Sequence, residues 1–143
     1  MAYTTLDNLK KYMTENIIIQ LTDDRDIKEV DEVVVEDAID TADKLIDSFL
    51  NGRYPSDITE TADIPAQITD ISTKLTAYNL YRRRMQTTLP EAIVRDYKLV
   101  LKMLEGIQKG TISPFPVDVE PTVIKTNKTA ASKTYNTDVW GLY

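Results

Sequence analysis

Apolar and polar positions alternate with helical period along most of the first 110 residues. From Val33 to Asn51, the apolar residues Val34, Val35, Ala38, Ile39, Ala42, Leu45, Ile46, Phe49 and Leu50 fall within about 160° of a helical wheel, which predicts an amphipathic helix. Gly52 follows and is expected to close that helix as a left-handed cap. A second strong helix is predicted from Pro65 to Arg84, where proline suits the first turn because its missing N–H is not needed there. Ile64, Ile68, Ile71, Leu75 and Tyr78 form its stripe, while Ala77, Leu80 and Tyr81 lie off it, so its second half should be buried on more than one side. A third runs from Pro90 to Lys109, with Ile93, Tyr97, Val100, Leu101, Leu104 and Ile107 in line, Thr88 as the expected cap and Gly110 as the stop.

The flanking segments are shorter. Residues 5–13 read as a small helix capped by Thr4 or Thr5, with Leu6, Leu9 and Met13 on one side. Glu15–Leu21 is rich in isoleucine and fits helix or strand. Residues 22–32 and 53–63 are polar connections. Past residue 110 the character changes. Pro114, Pro116 and Pro121 exclude a helix there, and Val117, Val119 and Val123 alternate as in an extended arm. Residues 125–137 have linker composition, and the end carries the only tryptophan, Trp140. The expected architecture is mainly α: a small bundle of four to five helices over residues 1–110 with an extended C-terminal arm over 111–143.

Composition removes many chemistries. The chain of 143 residues has no cysteine and no histidine, which excludes thiolate and imidazole metal sites, cysteine nucleophiles and serine–histidine triads. Its 4 glycines form no phosphate-binding loop, so no cofactor is expected. Asp23, Asp24 and Asp26 suggest a calcium loop, but counting from Asp24, Lys28, Glu29 and Val35 stand at the fifth, sixth and twelfth positions, and the pattern fails. No carboxylate pair is marked for hydrolysis. The opening residues lack the pattern of a secretion signal and no apolar run exceeds three residues, so the chain reads as soluble and intracellular, with no membrane contact.

Charge adds more. With 17 basic and 23 acidic residues the chain is acidic overall, which argues against general DNA binding. The charges are also segregated: residues 23–47 carry 11 acids and 3 bases, and residues 74–109 carry 8 bases and 3 acids. Glu36, Asp40, Asp43 and Asp47 form one narrow stripe, and Arg95, Lys98, Lys102 and Lys109 another, each opposite an apolar face. Like charges so spaced cost roughly 0.2–0.5 kcal/mol per pair, so helix stability alone does not select them. Two solvated faces are one reading. Head-to-tail association, acidic face against basic face, is the other, and it would close into rings or run into filaments. Arg82, Arg83 and Arg84 suit either the helix C-terminus or a partner's anionic groups.

The ordered strings IIIQLTD, VDEVVVEDAIDTADKLIDSFLNGRYP, DISTKLTAYNLYRRR and YKLVLKMLEGIQKG, over about residues 2–112, resemble the phage Mu gp36-like family. The resemblance implies a helical subunit of a head–tail connector in long-tailed phages. It would assemble in the host cytoplasm as a homo-oligomeric ring, commonly dodecameric, and sit in the virion neck between the portal protein and the tail or other neck proteins. Genomic DNA would pass through the lumen without specific binding, and neither enzymatic activity nor a cofactor is implied. On that reading Glu36, Asp40, Asp43 and Asp47 oppose Arg95, Lys98 and Lys102 of a neighbour. Arg53, Tyr54, Arg82, Arg83, Arg84, Val117, Val119 and Trp140 are then the candidates for portal or tail contact. The alternative is a small helical DNA-binding protein of phage packaging or regulation, acting through the basic stripe and the arginine triplet.

Overall fold

A computed structural model describes residues 2–54 and 63–115 of the chain. Five helices and no strand are found among them: α1 (Leu6–Tyr12), α2 (Glu15–Thr22), α3 (Glu32–Leu50), α4 (Ala66–Arg83) and α5 (Glu91–Lys109). The fold is mainly α, as the apolar spacing predicts. The part of the predicted arm beyond residue 115, and with it Val117, Val119 and Trp140, lies outside the described residues.

The short helices form where local signals and burial agree. Thr5, in extended conformation, accepts the Asn8 N–H on its hydroxyl and starts α1. The isoleucine-rich segment resolves as helix. Ile18 and Leu21, one turn apart, are both buried, and burial outweighs the mild helix aversion of β-branched residues. Thr22 returns its hydroxyl to the Ile18 carbonyl at 2.8 Å in the last turn.

α4 is the axis of the bundle, packing against each of the other four helices. Ile68, Ile71, Leu75, Ala77, Leu80 and Tyr81 are all buried, so its second half is covered on more than one side, as its off-stripe residues predict. The core has two parts. At one end Ile46 and Leu50 of α3 meet Ile68 and Ile71 of α4 and Leu104 and Ile107 of α5. At the other Val35 and Ile39 meet Ala77 and Leu80, with Ile93 from α5 and with Leu9, Ile18 and Leu21 of the two short helices. This pairing makes α3, α4 and α5 successively antiparallel, and α1 and α2 cover the second end. Tyr78 and Tyr97 stack between α4 and α5 with ring centroids 3.7 Å apart.

The helix ends correct three expectations. Gly52 is not left-handed; α3 ends through Asn51 in right-handed geometry, and the Arg53 and Tyr54 amides return to the Leu50 carbonyl at 2.9 and 2.8 Å. Burial of the Tyr54 ring beside Phe115, centroids 5.0 Å apart, holds that turn without a glycine cap. Thr88 does not cap α5, whose N-cap is Pro90 in extended conformation with no side-chain cap bond. Pro65 likewise precedes α4 as its N-cap instead of lying inside its first turn.

Gly110 does close α5, with φ at 83° and the Thr111 amide returning to the Gly106 carbonyl at 2.9 Å. Beyond it the chain stays packed: Ile112 lies over Gly106, and Phe115 is buried in the core. A Cβ at Gly110 would adopt a disfavoured left-handed backbone and displace the Arg53 guanidinium that lies over it. Gly110→Ala is therefore expected to destabilise the bundle by about 1–2 kcal/mol. Gly52→Ala, with no atom near its Cβ, should be close to neutral. Thermal melts of the two variants check the contrast.

Candidate assembly interface

The N-terminal residues are sewn between α3 and α4. Asp43 is 7% exposed; its Oδ2 accepts the Tyr3 backbone N–H at 3.0 Å and its Oδ1 accepts the Ser72 hydroxyl at 2.7 Å. Thr4 and Thr73 share a hydroxyl hydrogen bond of 2.7 Å, and the Tyr3 phenol donates to Asp47. This corrects the acidic stripe. Asp43 is buried and held by the chain itself, leaving Glu36 and Asp40 exposed on the outward side of α3 and Asp47 half-buried beside them, with one oxygen taken by the Tyr3 phenol. Burial pushes the Asp43 carboxyl up from the ordinary value, against the opposing pull of the Ser72 and Tyr3 hydrogen bonds.

Beside that outward side lies a groove of about 540 Å³ between α3 and the N-terminal segment. Leu6, Val35 and Ile39 contribute its apolar lining, and Glu32, Glu36, Asp40 and Asp47, with buried Asp43, its acidic one. Lys44 also lines it and pairs with Asp40 at 2.6 Å. On α5, Arg95, Lys98 and Lys102 are exposed as the stripe predicts. They border a shallower concavity of about 510 Å³ that includes Leu89, Val94 and Leu99. Leu99 was missed by the sequence reading, because its neighbours Val100 and Leu101 carry the core stripe and it is 50% exposed beside them.

The arginine triplet divides. Arg83 pairs with Asp24 and donates to the Leu21 carbonyl at 3.2 Å. Arg84 reaches the Asp23 carbonyl at 2.6 Å and Asp24 at 3.2 Å. Two of the three guanidinium groups thus satisfy the carbonyl end of α2 and the loop after it. Arg82 is exposed. Tyr54, a candidate contact in the sequence, presents no ring at the surface because it is buried in the core. Arg53 is half-buried against Gly110.

The acidic triplet of that loop has a structural use. Asp23 accepts the amides of Arg25, Ile27 and Lys28 at 3.1, 3.2 and 2.7 Å, holding a turn in which Asp26 and Lys28 have positive φ. The Lys28 amide above all holds the Asp23 carboxyl below its ordinary range, and the Arg83 guanidinium does the same for Asp24. The signs are opposite at the two sites. A lowered carboxylate stabilises the fold above the ordinary value of 3.8 and loses that contribution as the pH falls through its own value. A raised one, Asp43, is penalised as the pH rises from 3.8 through its own value. In an NMR titration the amides of Arg25, Ile27 and Lys28 should therefore shift with midpoints below 3.8, and the Tyr3 amide with a midpoint above it.

No group of three or more potential metal-ligating side chains is found among the described residues. No helix among them is long and apolar enough to cross a membrane. What the surface offers is two charged concavities of opposite sign on two helices of one small bundle, a surface suited to association.

Comparison with known proteins points to the same family. The Mu-like prophage FluMu protein gp36 of Haemophilus influenzae is 27% identical over 141 residues, covering 99% of this chain and 94% of that protein. The family model described as bacteriophage Mu, Gp36 matches residues 3–133, beyond the 112 to which the recognisable strings extend. With α1 to α5 and their connections all inside that span, the chain belongs to the bacteriophage Mu gp36 family.

Proposed function

We propose that the protein is a structural subunit of a phage head–tail connector, a ring in the virion neck that joins the portal to the tail and lets DNA pass. The observation that carries this reading is the pair of oppositely charged outward faces, Glu36 and Asp40 with half-buried Asp47 on α3, and Arg95, Lys98 and Lys102 on α5. Two different patches that complement each other give a heterologous contact, and such contacts close into rings when the rotation allows. Membership of a phage family supports a role in the particle, and the acidic total suits a lumen that must not retain DNA. The reading involves no catalysis: the residues it uses bind and orient neighbouring subunits.

The DNA-binding alternative loses two of its cations, since Arg83 and Arg84 are engaged with the chain's own loop. It predicts duplex binding that weakens steeply with salt as counterions are released. A nonsense allele of the gene in its parent phage tests the proposal. Filled heads and complete tails that do not join are expected; normal joined particles would overturn it.

A further inference from the structure

The groove beside α3 and the outward face of α5 are complementary in charge, and each has apolar side chains among its charges. The groove has apolar lining at Leu6, Val35 and Ile39 with acids along it. The α5 face has a half-exposed leucine, Leu99, set among Arg95, Lys98 and Lys102. On a helix these four positions lie within roughly 100° of one another, so one surface can present them all at once. Leu99 gives the basic row an apolar centre, and an acidic groove with an apolar lining is the chemistry that complements it.

We propose that the groove takes Leu99 of a second copy of this chain, with Arg95, Lys98 and Lys102 of that copy against Glu36, Asp40 and Asp47. A second copy is the occupant because the chain itself carries the complementary charge and the apolar anchor on another helix. The contact deepens the connector reading by specifying how neighbours meet, and it rests on that reading only for the ring it would build. Lys44 must release Asp40 as the face docks; the pair is solvent-exposed, and exposed pairs of this kind are readily exchanged. Asp43 takes no part, its oxygens being occupied by Tyr3 and Ser72.

The absence of native cysteine makes the test direct. Differently tagged chains carrying Leu99→Cys and Leu6→Cys are mixed and oxidised, with Met85→Cys, at a position 97% exposed, replacing Leu99→Cys as control. Glu36→Cys, at an exposed position on the groove, stands in for Leu6→Cys should the latter disturb α1. The Leu99 pair should cross-link at least tenfold faster than the Met85 pair, and raising the salt should remove most of that advantage. Equal rates for the two pairs, or a preference indifferent to salt, would overturn the contact. A preferential cross-link from a chain absent from the phage neck would uphold the contact and remove the connector. A neck ring formed by a chain showing no preference would do the reverse.

Discussion

Asp43→Ala is expected to lower the stability of the bundle by about 3–5 kcal/mol, a large share of the roughly 5–15 kcal/mol typical of a domain. The carboxylate is the shared acceptor of a backbone amide and a buried hydroxyl, at 3.0 and 2.7 Å. Removing it costs two hydrogen bonds to a charged acceptor at a position that is 7% exposed. Asp43→Asn differs in kind. Its amide oxygen can accept from Tyr3 while its NH2 donates to the Ser72 oxygen, and no charge is buried, so a loss of about 1 kcal/mol or less is expected. Urea unfolding of the three proteins measures the difference. Equal losses for alanine and asparagine would show that the site is held by packing and not by its hydrogen bonds. In the asparagine variant, the Tyr3 amide should also lose its titration.

Reversing the acidic face has the second large effect, on assembly and not on folding. Glu36→Lys with Asp40→Lys sets two new cations opposite Arg95, Lys98 and Lys102 of the neighbour. Like charges facing across an interface oppose association strongly, and at least a tenfold loss in assembly, about 1.4 kcal/mol or more, is expected. Both positions are exposed, so the thermal midpoint of the monomer should change little. Adding Lys98→Glu and Lys102→Glu to the same chain restores opposite signs across the contact and should recover most of the assembly. Sedimentation of the chain alone and with its portal measures this. Unchanged assembly of the chain carrying only Glu36→Lys and Asp40→Lys would remove the pairing of these faces.

The three long helices were legible in the sequence because their apolar stripes repeat with the helical period over many turns, and the buried residues Val35, Ile39, Ile46, Leu75, Val100 and Leu104 are on those stripes. What the stripes could not give was decided by tertiary contacts. Gly52 and Gly110 look alike as glycines after a helix. They differ because Ile112 folds back over Gly106, whereas α3 is continued by a turn that buries Tyr54. Asp43 has the same helical angle as Glu36, Asp40 and Asp47, so period and sign alone place it on the outward acidic stripe with them. The only hint of its burial was the cluster of hydroxyls, Ser72, Thr73 and Thr76, on a helix otherwise committed to the core. Arg83 and Arg84 are separated by about 60 positions from the loop they hold, with Asp24 at the centre, a pairing no local pattern reveals. The two charged faces could be read because they need only helical period and sign. The concavities along them, and Leu99 within one, emerge only when the helices pack.

The most direct test of the account is a cryo-EM structure of the neck of the parent phage particle. A closed ring of this chain between portal and tail is expected, with α3 of each copy facing α5 of the next and DNA passing through without contact to bases. A neck that lacks this chain, or a chain found only on DNA, would contradict it.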